Sequence, residues 1–175
     1  MRARSFVVAT GLHAALVFGA HAQEKSMPEF RVVSPAFAEG APIPARHAYH
    51  AENLSPPLAI RGVPAAARAL ALIVDDPDAS SVAWVHWLLA NLSPDIALIA
   101  EGKPPESAIV GRNDFGAAAW GGPAPPSGTH RYFFRLIALD AKLDLKPGFT
   151  RAQLEGAMKG HILRSAQTMG TFSAR

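Results

Sequence analysis

Side chains that could do chemistry are concentrated in three short segments of this sequence. Asp76 and Asp78 lie in DDPD, His86 lies in WVHW, and His130 and Tyr132 lie in THRY. Imidazole and phenol groups can donate hydrogen bonds to a small anion, and carboxylates can accept them from an ammonium or hydroxyl group or orient a histidine. The three segments therefore indicate a polar small-molecule site, if the fold brings them to one place.

The loop of residues 120–132, WGGPAPPSGTHRY, is too rich in glycine and proline to form a helix or a strand. Proline stiffens such a loop, and glycine lets backbone N–H groups come close to a bound molecule. The loop ends on His130 and Tyr132, at the start of an apolar run. We expect it to form one wall of the site, with Trp84 or Trp120 offering an aromatic face to a cation.

Two of these features also have a plain structural interpretation. The segment 75–78, DDPD, follows an apolar run and could be a turn in which aspartate side chains bond nearby backbone N–H groups. His86 lies in an apolar stretch and could be a core histidine with satisfied hydrogen bonds. The sequence leaves both alternatives open.

Apolar runs predict a chain that is mostly strand. Residues 69–74, ALALIV, are continuously apolar, as in a strand covered on both faces. Strict alternation over residues 82–92 would place His86 and Leu88 on one face and Trp87 and Leu89 on the other. The predicted strands are residues 30–33, 58–61, 69–74, 82–92, 96–100 and 130–139.

One helix is predicted near the C-terminus. A capping box begins at Thr150, and an apolar stripe runs from Leu154 through Met158 to Ile162, with a stop signal at Gly170. No helical pattern separates the strands, which disfavours a parallel βαβ arrangement. The predicted fold class is therefore mainly β, a β-rich α+β domain in which two sheets form a sandwich with a C-terminal helix.

The N-terminus has the pattern of a secretory signal peptide. Arg2 and Arg4 precede an apolar stretch over residues 5–20, and the small residues Ala20 and Ala22 form a cleavage site. We expect cleavage after Ala22, a single domain over residues 23–175, and a periplasmic location. An uncleaved membrane anchor is the alternative.

Composition excludes several classes of function. The chain has 17 basic and 14 acidic residues, and removal of the two N-terminal arginines leaves a net charge of about +1. The rest of the sequence has no basic run, so we expect no nucleic-acid partner. The absence of cysteine excludes disulfides, thiol catalysis and thiolate metal sites.

No motif of a known catalytic machinery is present, so we expect neither enzymatic activity nor a cofactor. Ser80, Ser81 and Ser127 lie near the polar segments, but no signature places them beside a base. His47 and His50 have a metal-like spacing but cannot share one face of an extended strand, and no metal site is predicted. A hydrolase and a zinc protein remain as alternatives.

Several spaced motifs resemble the phosphatidylethanolamine-binding protein family, in its bacterial Raf kinase inhibitor-like branch. They cover residues 30–175 and occur in the family's order. Four residues depart from the pattern: Ser80 replaces a proline, Trp120 replaces a tyrosine, Ala124 replaces a cysteine, and Phe172 replaces a tyrosine. The matching motifs are NLSPPL (53–58), DPDA (76–79), HW (86–87), GRNDFG (111–116), GGPAPP (121–126), GTHRY (128–132) and ALD (138–140).

The resemblance implies an anion pocket in a non-enzymatic binding protein for phosphate-bearing headgroups, such as the phosphoethanolamine of a phospholipid. Alternation along residues 130–139 places His130, Tyr132, Phe134 and Leu136 on one side of the strand and Arg131 on the other, so we expect Arg131 to form a structural ion pair and not a ligand contact. A protein-interaction module, such as a protease or kinase inhibitor-like regulator, is the alternative, and a homodimer is expected by resemblance alone. The predicted ligand-binding residues are Asp76, Asp78, Trp84, His86, Trp120, Gly121, Gly122, Ala124, His130 and Tyr132.

Overall fold

The structure, a computed structural model, describes residues 28–174 of the 175-residue chain. The predicted signal peptide lies outside the described residues. Within residues 28–174, eight strands form two antiparallel sheets, and no helix is long and apolar enough to cross a membrane. The smaller sheet has the order β1-β2-β5, from β1 (Arg31–Val33), β2 (Leu58–Arg61) and β5 (Leu98–Ile99). The larger sheet has the order β6-β4-β3-β7-β8, from β6 (Ile109–Val110), β4 (Trp84–Leu92), β3 (Ala69–Asp76), β7 (Thr129–Leu139) and β8 (Ile162–Ser173).

The predicted fold class is confirmed: two sheets pack face to face, with one α-helix, α1 (Arg151–Met158), on the outside of the larger sheet. β3 is the central strand, and all eight of its residues are buried, as its continuous apolar run predicts. Leu70, Leu72 and Val74 lie on the face of the larger sheet that packs against the smaller sheet, and we call this face the front. Ala71 and Ile73 face α1 on the back.

β4 departs from the strict alternation predicted for it. Val74 of β3 pairs with Trp87, but the next residue, Asp75, pairs with Val85. His86 is therefore an extra residue on β4, a β-bulge that changes which face the following side chains occupy. As a result His86 lies on the front with Trp87, in ring contact with Tyr132, whereas Leu88 packs in the back core with Val85, so the predicted placement of His86 and Leu88 on one face is wrong.

The predicted helix is shorter than its apolar stripe suggested. Thr150 and Gln153 form the expected capping box, and Leu154 and Met158 are buried against the sheet. The chain then turns at Gly160, whose φ of +84° is left-handed, and residues 162–173 form β8. β8 pairs with β7 over its whole length, and this tertiary pairing overrides the helical periodicity. The C-terminal helix is therefore not the last element of the chain.

Candidate functional site

A pocket of about 300 Å³ opens where β3 ends and β4 and β7 begin. The three polar segments meet there because β3 lies between β4 and β7 in the sheet. The DDPD turn at the end of β3 is therefore flanked by the first residues of both neighbouring strands. Five of the ten predicted binding residues line this pocket. Its lining consists of Asp76, Ala79, Trp84, His86, Phe115, Ala124, Pro125, Pro126 and His130.

Asp76 and His130 form a buried hydrogen-bonded pair on β3 and β7. Nδ1 of His130 lies 2.8 Å from Oδ2 of Asp76, and Oδ1 of Asp76 accepts a hydrogen bond of 2.8 Å from the backbone N–H of Asp78. An ionised carboxylate can only accept, so Nδ1 carries the proton. In the neutral ring Nε2 is then an acceptor, and it becomes a donor when the ring is protonated.

His86 is held in the same tautomer by a different partner. Its Nδ1 lies 2.6 Å from the backbone carbonyl oxygen of Gly121, which can only accept, so Nδ1 donates. Burial lowers the pKa of His86, although the backbone of Gly121 and the charge of Asp76 act in the opposite direction. The ring is therefore neutral at pH 7.

Among the described residues, two buried hydrogen-bond donors beside the histidines make no hydrogen bond of good geometry. Tyr132 is completely buried under the pocket, with its ring edge-on to His86 at 5.1 Å between centroids. Burial, and next the charge of Asp76, raise the pKa of Tyr132, so the phenol stays protonated. Its hydroxyl lies beside Asp76 and the Ala124 backbone without a hydrogen bond of good geometry, and the indole Nε1 of Trp84 is likewise unpaired among the described residues.

Gly121, Gly122 and Trp120 do not line the pocket, contrary to expectation. The N–H of Gly121 donates to the backbone oxygen of His86, and that of Gly122 donates to Oδ1 of Asn53. A side chain at Gly122 would collide with the backbone oxygen of His47, so this glycine allows close packing within the protein. These glycines therefore position His86 and have no free N–H for a ligand.

Trp120 lies in the core behind the pocket. Its indole N–H donates to the backbone oxygen of His47 at 3.2 Å, and its ring stacks on Phe134. It is 8% exposed. The aromatic face available to a ligand is therefore that of Trp84.

Asp78 also lies outside the pocket, in an ion pair with Arg131. The guanidinium donates to both carboxylate oxygens, at 2.9 and 2.7 Å, and the backbone N–H of Arg131 adds a third hydrogen bond. The Arg131 side chain holds the pKa of Asp78 at about 2. The structural ion pair predicted for Arg131 is confirmed, with Asp78 as its partner.

Phe115 forms a pocket wall that the sequence analysis did not single out. Its ring stacks on Tyr49 at 4.3 Å and meets Trp84 and His86 edge-on. The neighbouring Asp114 fixes this loop to β4, because its carboxylate accepts a hydrogen bond of 2.7 Å from the backbone N–H of Val85. The sequence feature that could have identified Phe115 is an aromatic residue among the turn-forming residues of GRNDFG.

The described residues contain no group of three or more His, Cys, Asp or Glu side chains that could hold a metal ion. His47 is buried, and its Nδ1 donates to the backbone oxygen of Leu54 at 2.8 Å, whereas His50 is exposed. The carboxylate of Asp76 is occupied by His130 and a backbone N–H. The site therefore offers imidazole, indole and phenol groups that can bind a polar ligand.

Comparison with known proteins gives a consistent result. A UPF0098 protein of Methanothermobacter thermautotrophicus is 46% identical over 142 residues, which are 78% of this chain and 94% of that protein. A UPF0098 protein of Chlamydia pneumoniae is also 46% identical, over 81% of this chain and 97% of that protein.

Two solved structures share the fold. A crystal structure from Chlamydia trachomatis, described as a candidate phosphatidylethanolamine-binding protein homologue, has a TM-score of 0.79 and 40% identity over 83% of this chain and 98% of that one. The Escherichia coli protein YbcL, described as a member of the mammalian family, has a TM-score of 0.79 and 28% identity over 85% of this chain and all of that one. The family model named phosphatidylethanolamine-binding protein matches residues 33–173. This chain therefore belongs to the phosphatidylethanolamine-binding protein family.

Proposed function

We propose that this protein binds a small anion, the phosphate group of a headgroup such as phosphoethanolamine, without catalysing a reaction. The observation that carries the proposal is the buried indole N–H of Trp84, which has no hydrogen-bond partner among the described residues, in a pocket lined by two histidine rings. Buried polar groups in folded proteins normally have hydrogen-bond partners. An anion bound beside Trp84 would supply the missing acceptor.

Charge balance predicts that anion binding is coupled to proton uptake. The pocket already holds the buried carboxylate of Asp76, and His86 is neutral because its pKa is lowered by burial. A phosphate near His86 favours the imidazolium, which supplies a further donor and cancels negative charge. Binding should therefore strengthen as the pH falls from 8 to 6.

The ammonium group of a headgroup would find a separate environment in the same pocket. Trp84 and Phe115 present aromatic rings that meet edge-on at 5.5 Å. An ammonium group near an aromatic face gains a cation–π interaction, which strengthens where water is excluded. Phosphoethanolamine should therefore bind more tightly than inorganic phosphate.

The absence of catalysis is proposed because the pocket lining contains no hydroxyl or thiol nucleophile. None of the residues that line it is serine, threonine or cysteine. The hydroxyl of Ser80 donates to the backbone oxygen of Val82 at 2.6 Å, within its own turn. The Asp76–His130 pair could act as a base, but it has no hydroxyl to activate among these side chains.

Calorimetric titration with phosphate and phosphoethanolamine at pH 6 and pH 8 tests the proposal. His130→Ala should weaken phosphoethanolamine binding by on the order of tenfold, because it removes one charge-assisted hydrogen bond. His161→Ala is the matched control, since His161 makes the same 2.8 Å bond to an aspartate, Asp140, but at an exposed position. No binding at millimolar ligand, or equal effects of the two variants, would contradict the proposal.

We also propose that the protein is exported and acts in the periplasm, on the sequence pattern of residues 1–22. Expression of the full chain in a bacterial host should give a processed protein that begins at Gln23. N-terminal sequencing of the fraction released by osmotic shock measures this. Recovery of the intact chain in the cytoplasm or the membrane would contradict export.

A further inference from the structure

The outer edge of β8, at one side of the larger sheet, is covered over only part of its length. Residues 40–43 pair with its second half: the N–H of Gly40 donates to the backbone oxygen of Met169 at 2.8 Å, and the N–H of Thr171 donates to that of Ala41 at 3.0 Å. The bridge between this segment and Thr171 is parallel. The edge of β8 therefore already accepts a short strand in parallel orientation.

The first half of β8 lacks such a neighbour among the described residues. Backbone N–H and C=O groups point alternately to the two sides of a strand, and those of Met169 and Thr171 point away from β7. Pairing of β7 with β8 is regular over residues 164–173, so the groups of Ser165 and Gln167 also point outward. Neither residue bonds another described residue on that side. Two N–H and two C=O groups are therefore open to pairing at an exposed position.

Grooves lie on both faces of this open segment, residues 164–167, which we call the β8 edge. The back groove, of about 590 Å³, lies between α1 and β8, and the front groove, of about 340 Å³, lies between β1 and β8. Ser165, Ala166 and Gln167 line both grooves. A strand added to the β8 edge would direct alternate side chains to the two faces. Open backbone groups beside pockets for alternate side chains are the features by which proteins bind a peptide as an extra strand.

The two ends of the β8 edge carry opposite charges. Arg164 is exposed at its start and has no acidic partner among the described residues. Glu39 lies beyond its end, where the carboxylate accepts from the hydroxyl of Thr168 and the N–H of Met169 but pairs with no described cation. A strand parallel to residues 40–43 would begin beside Arg164 and end beside Glu39. Charge complementarity therefore favours a segment that begins with an acidic residue and ends with a basic one.

We propose that the β8 edge binds an extended segment of a partner protein, added as a strand parallel to β8. An acidic residue lies beside Arg164, an apolar residue fills the front groove beside Ala166, and a basic residue lies beside Glu39. The front groove suits an apolar side chain because Phe30 and Val32 line it. The β8 edge pairs with residues 135–138 of β7, away from the anion pocket at the start of that strand, so the two sites are independent.

A second copy of the chain fits the β8 edge less well. Two β8 strands related by a two-fold axis at Ala166 would pair Ser165 of one copy with Gln167 of the other. In that register Leu163 of the second copy would lie opposite Met169, where residues 40–43 already bond the strand. β8 of a second copy therefore meets an occupied position, whereas a short segment with free ends does not.

NMR titration with the peptide acetyl-Glu-Thr-Leu-Gln-Lys-amide tests the proposal. Its first, third and fifth side chains would face the front, beside Arg164, Ala166 and Glu39 in that order. Amide exchange of Ser165 and Gln167 should slow on the order of tenfold when the peptide is present at about ten times its Kd. Exchange of the Ala166 amide should stay the same, because that N–H faces β7 in the free protein.

Variants at residue 165 test the main-chain pairing. Ser165→Pro removes an outward N–H, and proline is tolerated at a strand edge where the N–H faces solvent, so the variant should fold but lose the peptide. Ser165→Thr is the matched control, because it keeps the N–H and should bind the peptide as before.

Arg164→Glu tests the charge match and does not depend on the proline variant folding. It should weaken the peptide that begins with glutamate by about threefold, the effect typical of an exposed ion pair. It should strengthen a peptide that begins with lysine, acetyl-Lys-Thr-Leu-Gln-Lys-amide, by a similar factor. If Arg164→Glu changes neither affinity, the assigned orientation is wrong.

The absence of spectral changes at millimolar peptide, or slower exchange at residues other than Ser165 and Gln167, would overturn the proposal. Equal binding to the proline and threonine variants would do the same. A concentration-dependent dimer whose Ser165 and Gln167 amides are already protected without peptide would assign the β8 edge to a second copy of the chain.

Discussion

Asp75 and Asp76 are consecutive on β3, yet they occupy opposite faces of the larger sheet and have different partners. Asp75 faces the back, is 1% exposed, and binds Arg135 at 3.2 Å and Arg151 at 2.9 Å. Asp76 faces the pocket, is 2% exposed, and binds the imidazole of His130. Residue type and burial are the same, so the partner determines what each carboxylate can do.

The difference lies in which hydrogen-bonding roles the partner can take. Guanidinium groups remain charged at all ordinary pH values, so Asp75 has permanent counter-charges that tie α1 to the sheet. The imidazole of His130 uses only Nδ1 to bond Asp76, so its second ring nitrogen remains for a ligand in the pocket. The back of the strand is therefore suited to structure and the front to binding.

Asp75→Asn should have the largest effect on stability. It leaves two arginine side chains without their carboxylate, and removal of one partner from a buried ion pair costs about 3 kcal/mol where the arginine ends reach solvent. Urea denaturation measures the loss, and phosphate affinity should stay unchanged. If Asp75→Asn lost less stability than Asp76→Asn, the assignment of the back face to structure and the front face to binding would be wrong.

Asp76→Asn should cost less stability, about 1–2 kcal/mol, and should change binding instead. The amide oxygen must still accept from the N–H of Asp78, so the amide nitrogen faces Nδ1 of His130 and moves the ring proton to Nε2. The pocket then has one negative charge fewer and one donor more. Inorganic phosphate should therefore bind more tightly at pH 8, as measured by calorimetry.

An Asp76→Asn protein that binds phosphate more weakly at pH 8 would contradict this account. It would mean that Asp76 contributes to anion binding only by orienting the imidazole ring of His130. Nitrogen NMR of His130 provides an independent readout, because it distinguishes the two tautomers in the ligand-free protein.

Arg131→Met should have the smallest effect. The Asp78–Arg131 pair is largely exposed, and such pairs contribute little to stability because solvent screens them. Because the pKa of Asp78 is lowered to about 2, this contribution is present above pH 4 and is lost as the pH falls toward 2. NMR titration should show the pKa of Asp78 rising toward its ordinary value of 3.8 in the variant.

Much of the fold could be predicted, because local pattern and burial agree over most of the strands. The apolar run of β3 indicated a central strand, and alternation in β7 correctly placed His130 and Tyr132 on the buried side. The bulge at His86 could not be predicted, since nothing in the local sequence marks an extra residue. The helix was predicted to be too long for a similar reason: pairing with β7, which the local sequence does not reveal, determines that residues 162–173 form a strand.

The site was predictable in its residue types and less so in their contacts. His86, His130, Asp76 and Trp84 line one pocket, and hydrogen-bonding residue types were enough to identify them. The roles of the glycines were not predictable, since the space beside Gly121 is filled by the Phe115 side chain and the space beside Gly122 by the backbone of His47 and Ala48. Such contacts join segments far apart in the chain and leave no local signal.

The position of β8 has a consequence for the order in which the molecule can form. β8 lies between β7 and residues 40–43, whose backbone forms hydrogen bonds with Met169 and Thr171. Segments far apart in the chain are thus joined, and β7, which carries His130, gains its outer neighbour only after β8 has been synthesised. Long-range pairing of this kind slows folding during synthesis. A slow-folding nascent chain remains unfolded for longer, which is the state that passage through a secretion channel would require.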